Sequence, residues 1–119
     1  LKEMIKRAKE EVIICHDAAE ISSKIKVFID IIGNLKKSKV KISVALFGES
    51  ETIKKLEEVL KIRIKKVDIA SRFFIIDNSE IFFYLLKEED KEDLGIWVNS
   101  PFFVTAFSAF FRKFFDEVR

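Results

Sequence analysis

Apolar residues switch between two spacings along this chain, and the switches mark its elements. Leu1, Ile5 and Ala8 recur at helical spacing and predict a helix over residues 1–10. Val12 to Cys15 is a short apolar run, read as a strand. Asp17 then stands as a helix cap, with Glu20 three residues on in the capping-box position. Ile21, Ile25, Phe28, Ile29 and Ile32 follow at spacings of three and four, which predicts a helix stopped near Gly33 and Asn34. From Val40 to Phe47 the pattern alternates. Val40, Ile42, Val44 and Leu46 share one face, and Ala45 and Phe47 make the other partly apolar, so this strand is expected to be covered on both sides. Ser50 caps a third helix with Ile53, Leu56 and Leu60 inward. Lys61 to Val67 sets Ile62 and Ile64 against Arg63 and Lys65, a strand with one wet face.

In the second half strands cluster. Ala70 to Ser79 and the apolar run Ile81 to Leu86 read as two strands joined by a polar turn at Asp77, Asn78 and Ser79. Lys87 to Asp93 is an acidic, solvated loop, and Leu94 to Val98 a last strand with Trp97 expected in the core. Ser100 is a good N-cap and Pro101 suits the first helical position, opening a helix to about Val118. The order predicts an α/β fold in one domain spanning 1–119: a mixed β-sheet of about six strands flanked by helices. The terminal helix is apolar nearly all round, far beyond the roughly 100° stripe of a surface helix. It must be central to the domain or meet another chain.

Composition narrows the function. The net charge is +2 with acids and bases interspersed, which lacks the basic footprint of an independent nucleic-acid binder. A single Cys excludes an intrachain disulfide and points to a reducing cytoplasm. No apolar run approaches the roughly 18 residues of a membrane helix. The Lys-, Glu- and Ile-rich balance with no Gln is that of a thermophile. The chain begins at Leu1, so a preceding segment is expected. Cys15, His16 and Asp17 invite a metal site, but zinc needs about four converging ligands, and the chain has one Cys and one His. Cys15 is read as a buried hydrophobe and Asp17 as a cap; no metal or cofactor is expected.

Two motifs carry a family resemblance. Ala70, Arg72 and Asp77 stand where the phospholipase D superfamily has His, Lys and Asp on one strand. The nucleophile position holds Ala, and one cation is kept as Arg. The run Gly95-Ile-Trp-Val-Asn-Ser-Pro101, followed by the Phe-rich helix, resembles the end of the regulatory domain of TrmB-like archaeal transcriptional regulators, which is similar to half of a phospholipase D. The resemblance covers nearly the whole chain.

It implies a catalytically inactive domain that senses a small effector and holds a homodimer, with DNA bound through a missing N-terminal helix-turn-helix. Without a His at position 70 the family's covalent phosphoryl intermediate cannot form. Arg72 and Asp77 are five residues apart on one strand, so they face opposite sides. Arg72, Asp77, Asn99 and Ser100 are the candidate anion pocket that the resemblance implies. Arg offers a bidentate fork, and the helix start after Ser100 offers free N–H groups. Phe103, Phe107, Phe110 and Phe114 are the candidate dimer contacts. The alternatives are a stand-alone oligomerisation domain and a phospholipase D-type phosphodiesterase.

Overall fold

The computed structural model describes residues 2–85 and 95–117. The expected acidic loop at Lys87 to Asp93 lies outside the described residues. The elements run α1 (Lys2–Lys6), β1 (Glu11–Asp17), α2 (Ala18–Ser23), α3 (Ile25–Lys37), β2 (Lys41–Phe47), α4 (Ser50–Leu60), β3 (Ile64–Lys66), β4 (Phe73–Ile76), β5 (Glu80–Tyr84), β6 (Gly95–Asn99) and α5 (Pro101–Glu117).

The six strands form one sheet in the order β3-β2-β1-β4-β5-β6. β1 sits at the seam. It pairs parallel with β2 (Ile14 opposite Val44) and antiparallel with β4 (Ile14 opposite Phe74). β3 extends the parallel half, and β5 and β6 form a meander on the antiparallel side. β1 is buried on both faces, which is why it reads as an unbroken apolar run.

Helices α1 to α4 cover one face. There Val12, Ile14, Val44, Leu46, Phe74 and Ile76 meet Ile5, Ile21, Phe28, Ile31 and the inward residues of α4. The other face carries α5 alone among the described residues. Ile13, Cys15, Phe73, Ile75 and Ile81 pack against Val104 and Phe111, with Phe107 and Phe115 half-buried beside them.

Several local expectations are corrected. The helix read from Ile21 to Ile32 is two helices, broken at Lys24, and the second runs through Gly33 to Lys37. The buried stripe of α3 is Phe28, Ile31, Ile32 and Leu35, which leaves Ile29 46% exposed. Asp17 caps α2 through Ala19 N–H at 3.0 Å, but Glu20 does not reach back to complete a capping box. The first helix stops at Lys6. α4 has Glu49 at its cap position, without a side-chain bond, and the Ser50 hydroxyl accepts from Lys66 Nζ at 2.9 Å instead. α4 ends on Lys61 in the left-handed conformation (φ 56°), and Lys39 after α3 is left-handed too (φ 58°). Glycine is the usual residue at such helix ends.

Candidate functional site

Arg72 is buried, just before β4, on the helix-covered side of the sheet. Its Nη1 donates to both oxygens of Glu20 on α2, at 2.9 and 3.2 Å, and its guanidinium lies 4.3 Å from the Tyr84 ring centre. The carboxylate that the sequence reading assigned to a cap therefore occupies the fork assigned to a ligand anion. A buried guanidinium needs a counter-charge, and Glu20 supplies it from within the chain.

Asp77 serves the fold in a different way. Its carboxylate accepts the backbone N–H groups of Lys9, Glu10 and Glu11 at 2.8 to 3.2 Å, clamping the start of β1 to the end of β4. Burial opposes its charge, but donation from the Glu11, Lys9 and Glu10 amides outweighs that and holds its pKa below the usual carboxylate value. Asp77 and Asn78 both have positive φ (51° and 56°), and Ser79 N–H donates to Ile76 C=O at 3.1 Å. This is the hairpin turn expected at Asp77 to Ser79, in the handedness that suits paired strands.

The four residues of the candidate anion pocket do not converge. Tyr84 N–H bonds Arg72 C=O, and Tyr84 pairs with Gly95 at the start of β6. Asn99 ends β6 opposite Glu80, which pairs with Ile76 at the Asp77 end. Asn99 and Ser100 thus lie about four strand residues from Arg72, roughly 13 Å at 3.3 Å per residue. The reason is the meander: β5 returns to the Arg72 end and β6 leaves it again. Ser100 Oγ accepts Phe103 N–H at 3.3 Å, so it caps α5 as expected. Trp97 is 52% exposed, not core, and its Nε1 donates to Glu80 at 3.0 Å on the edge of the sheet.

At the Arg72 end there is a cavity of about 170 Å³ between the sheet and α1, α2 and α3, its lining including His16, Glu20, Lys24, Phe28, Phe74 and Tyr84. His16 is buried, and the rings of Phe28, Phe74 and Tyr84 meet it edge-on at 5.6 to 5.9 Å. Its Nδ1 accepts Asp17 N–H at 2.8 Å, which places the neutral ring's proton on Nε2. Burial is the main cause that drives its pKa down to about 4. The sequence gives no sign of this site, because adjacent Cys15, His16 and Asp17 suggest only a catalytic or metal role, and the rings around His16 come from distant elements. Cys15 is buried on the other face, its thiol pushed up to about 12 by burial.

On α5, Phe107 is half-buried and faces its own sheet, 5.3 Å from both Phe73 and Phe83. Phe103, Phe110 and Phe114 are exposed. Phe102, which the sequence reading passed over, is 91% exposed and Phe110 79%.

The family model of transcriptional regulator TrmB, EBD N-terminal subdomain, matches residues 1–118. No curated protein sequence matches this chain. Among solved structures, it is similar to TrmBL2, described as an archaeal chromatin protein with a novel mode of DNA binding. The TM-score is 0.69 at 20% identity, covering 99% of this chain and 47% of TrmBL2. It is similar also to Nuc of Salmonella typhimurium, a phospholipase D family member, with a TM-score of 0.70 at 12% identity over 99% of this chain and 86% of Nuc. The chain spans about half the length of TrmBL2.

Proposed function

Since the chain belongs to the TrmB family of transcriptional regulators, we propose that it is the catalytically inactive, effector-sensing and dimerising part of such a regulator. DNA reading falls to a helix-turn-helix elsewhere in the full-length protein. The observation that carries this reading is the outer face of α5. Phe102 and Phe110 are 91% and 79% exposed, beside Phe103 and Phe114, on the one helix that covers its side of the sheet among the described residues. A contiguous aromatic surface of this kind marks an association site, and the same face on a second copy closes it two-fold. Loss of catalysis follows from Ala70 in the nucleophile position and from the commitment of Arg72 to Glu20.

The effector seat that fits best is the His16 cavity rather than the dispersed residues Arg72, Asp77, Asn99 and Ser100. Its volume, about 170 Å³, is close to that of an engineered apolar cavity of about 150 Å³ that takes benzene. The effector is therefore a molecule of about one ring. A neutral imidazole and the Lys24–Glu20 pair, 3.4 Å apart, provide its polar contacts.

Phe110→Asp removes apolar area from the outer face without touching the core. We expect sedimentation velocity at tens of micromolar to give a dimer for the wild type and a monomer for the variant, with an unchanged melting temperature of the isolated fold. A wild type that sediments as a monomer, or a variant that stays dimeric, would sink the α5 interface.

A further inference from the structure

The small net charge conceals a segregated one. The six residues from Lys36 to Lys41 hold four lysines and no acid, and the six from Lys61 to Lys66 hold four cations and no acid. Eight of the chain's 22 cations thus lie in twelve residues. The fold sets the two segments side by side. One spans the last residues of α3 and its exit and the other follows α4, and they lead into the neighbouring parallel strands β2 and β3. Lys36 Nζ donates to the carbonyls of Leu60 and Lys61, stapling one segment to the other.

Most of this charge is open. Lys37, Lys39, Lys41, Lys61 and Arg63 are exposed and have no carboxylate partner among the described residues. Two carboxylates border the patch: Glu57, which accepts Ile64 N–H at 2.8 Å within it, and Glu11, which pairs with Arg112 at 2.6 Å. Helix dipoles favour a cation at each C-terminus, which accounts for Lys36 and Lys37. Lys65 likewise donates to Phe115 C=O in the last turn of α5 at 2.7 Å, and Lys66 to the Ser50 hydroxyl, but no helix end accounts for Arg63. Lys39 and Lys61 also hold left-handed conformations where glycine is easier, so a charge is kept at two positions at some conformational cost.

We infer that the Lys36–Lys41 and Lys61–Lys66 edge is a contact surface for the phosphate backbone of duplex DNA, a second anchor beside the regulator's reading domain. The inference rests on the family reading for its choice of polyanion. An anionic membrane fits less well. The apolar residues between the cations, Val40, Ile62 and Ile64, are buried or half-buried, so the patch offers nothing to insert, and the exposed phenylalanines lie across the sheet on α5. Contacts made by charge alone are read without sequence, and each neutralised phosphate steepens the salt dependence by about 0.9 in log K against log salt.

The test is fluorescence anisotropy of a mixed-sequence 24-base-pair duplex, titrated with the chain at several salt concentrations. For four to five phosphates, on the order of the open cations here, the slope is expected near −4. Replacing Lys37, Lys39, Lys61 and Arg63 by Glu together should weaken binding at least tenfold at low salt and bring the slope near −1. Lys39→Gly with Lys61→Gly is the control for folding: it should raise the melting temperature and still weaken duplex binding. No duplex binding by the wild type, or an unchanged slope in the charge-reversed variant, overturns the inference. So does equal, patch-dependent capture by phosphatidylserine vesicles with none by DNA. A wild type that dimerises but binds no duplex overturns this surface alone, whereas a wild-type monomer that binds duplex overturns the α5 interface alone.

Discussion

Phe73→Ala is expected to destabilise the domain by about 3–5 kcal/mol, the range for a buried Phe truncated in a packed core. Phe73 is 3% exposed on the α5 side of the sheet. Its ring meets Phe83 at 5.9 Å, Phe107 at 5.3 Å and Phe111 at 5.2 Å, the last two edge-on. Two of those three partners belong to α5, the only helix on that face among the described residues. Truncation therefore leaves a cavity under α5 and loosens the layer that carries the outward phenylalanines. At 119 residues the domain lies between the small-domain range of about 4–8 °C of melting temperature per kcal/mol and the about 2–4 °C of larger ones, so a fall of about 10 °C or more is expected. Urea denaturation measures it, and a loss below about 1.5 kcal/mol would mean that α5 is held by other contacts.

Asp77→Ala is expected to cost about 3–4 kcal/mol. Three backbone N–H groups lose a charged acceptor, each worth about 1 kcal/mol net with water partly replacing it, and Ala sits poorly at a φ of 51°. Asp77→Asn keeps one acceptor oxygen and tolerates the turn, so its expected cost is about 1 kcal/mol. The pH dependence separates the two effects. Because the folded pKa is depressed, the stabilisation from the charged carboxylate is present above the unfolded value near 4. It is lost as pH falls through the folded value. The wild type should therefore lose stability relative to Asp77→Asn as the solution is acidified below about pH 4. Parallel acid limbs in the two proteins would rule out the clamp. In this chain the last member of the phosphodiesterase-like motif is thus a fastening of the sheet, and its loss would be read in stability.

Strand periodicity and turn chemistry explain how much of this was legible in the sequence. Val12 to Cys15, Val40 to Phe47 and the Asp77 turn are local signals, and they fall where the strands and turn lie. The break at Lys24 is not a local signal, since Ile21, Ile25 and Phe28 keep helical spacing across it. Trp97 looked like core because its neighbours are apolar, but β6 is an edge strand, where one face is wet. The candidate pocket failed for a topological reason. A motif read along the chain gives the order of residues, and only strand direction says that Asn99 and Arg72 end at opposite sides of the sheet. The partner of Arg72 was equally hidden, because Glu20 lies 52 residues away.

The seam at β1 also governs how fast the domain assembles. Within each half, neighbouring strands are joined by a hairpin or by one crossover and can pair early. The two halves meet only when β1 pairs with β4, joining Ile14 to Phe74 across about sixty residues of chain. Closure of so long a loop must precede the contacts that reward it. Refolding is therefore expected to be slow in the step that joins the halves, with the Asp77 clamp formed late. In a chevron analysis Asp77→Asn should accelerate unfolding and leave the folding rate nearly unchanged; a folding rate that drops with stability would place the seam early instead. A sheet built this way has one long-range joint, and the strength of that joint sets how long the folded domain persists.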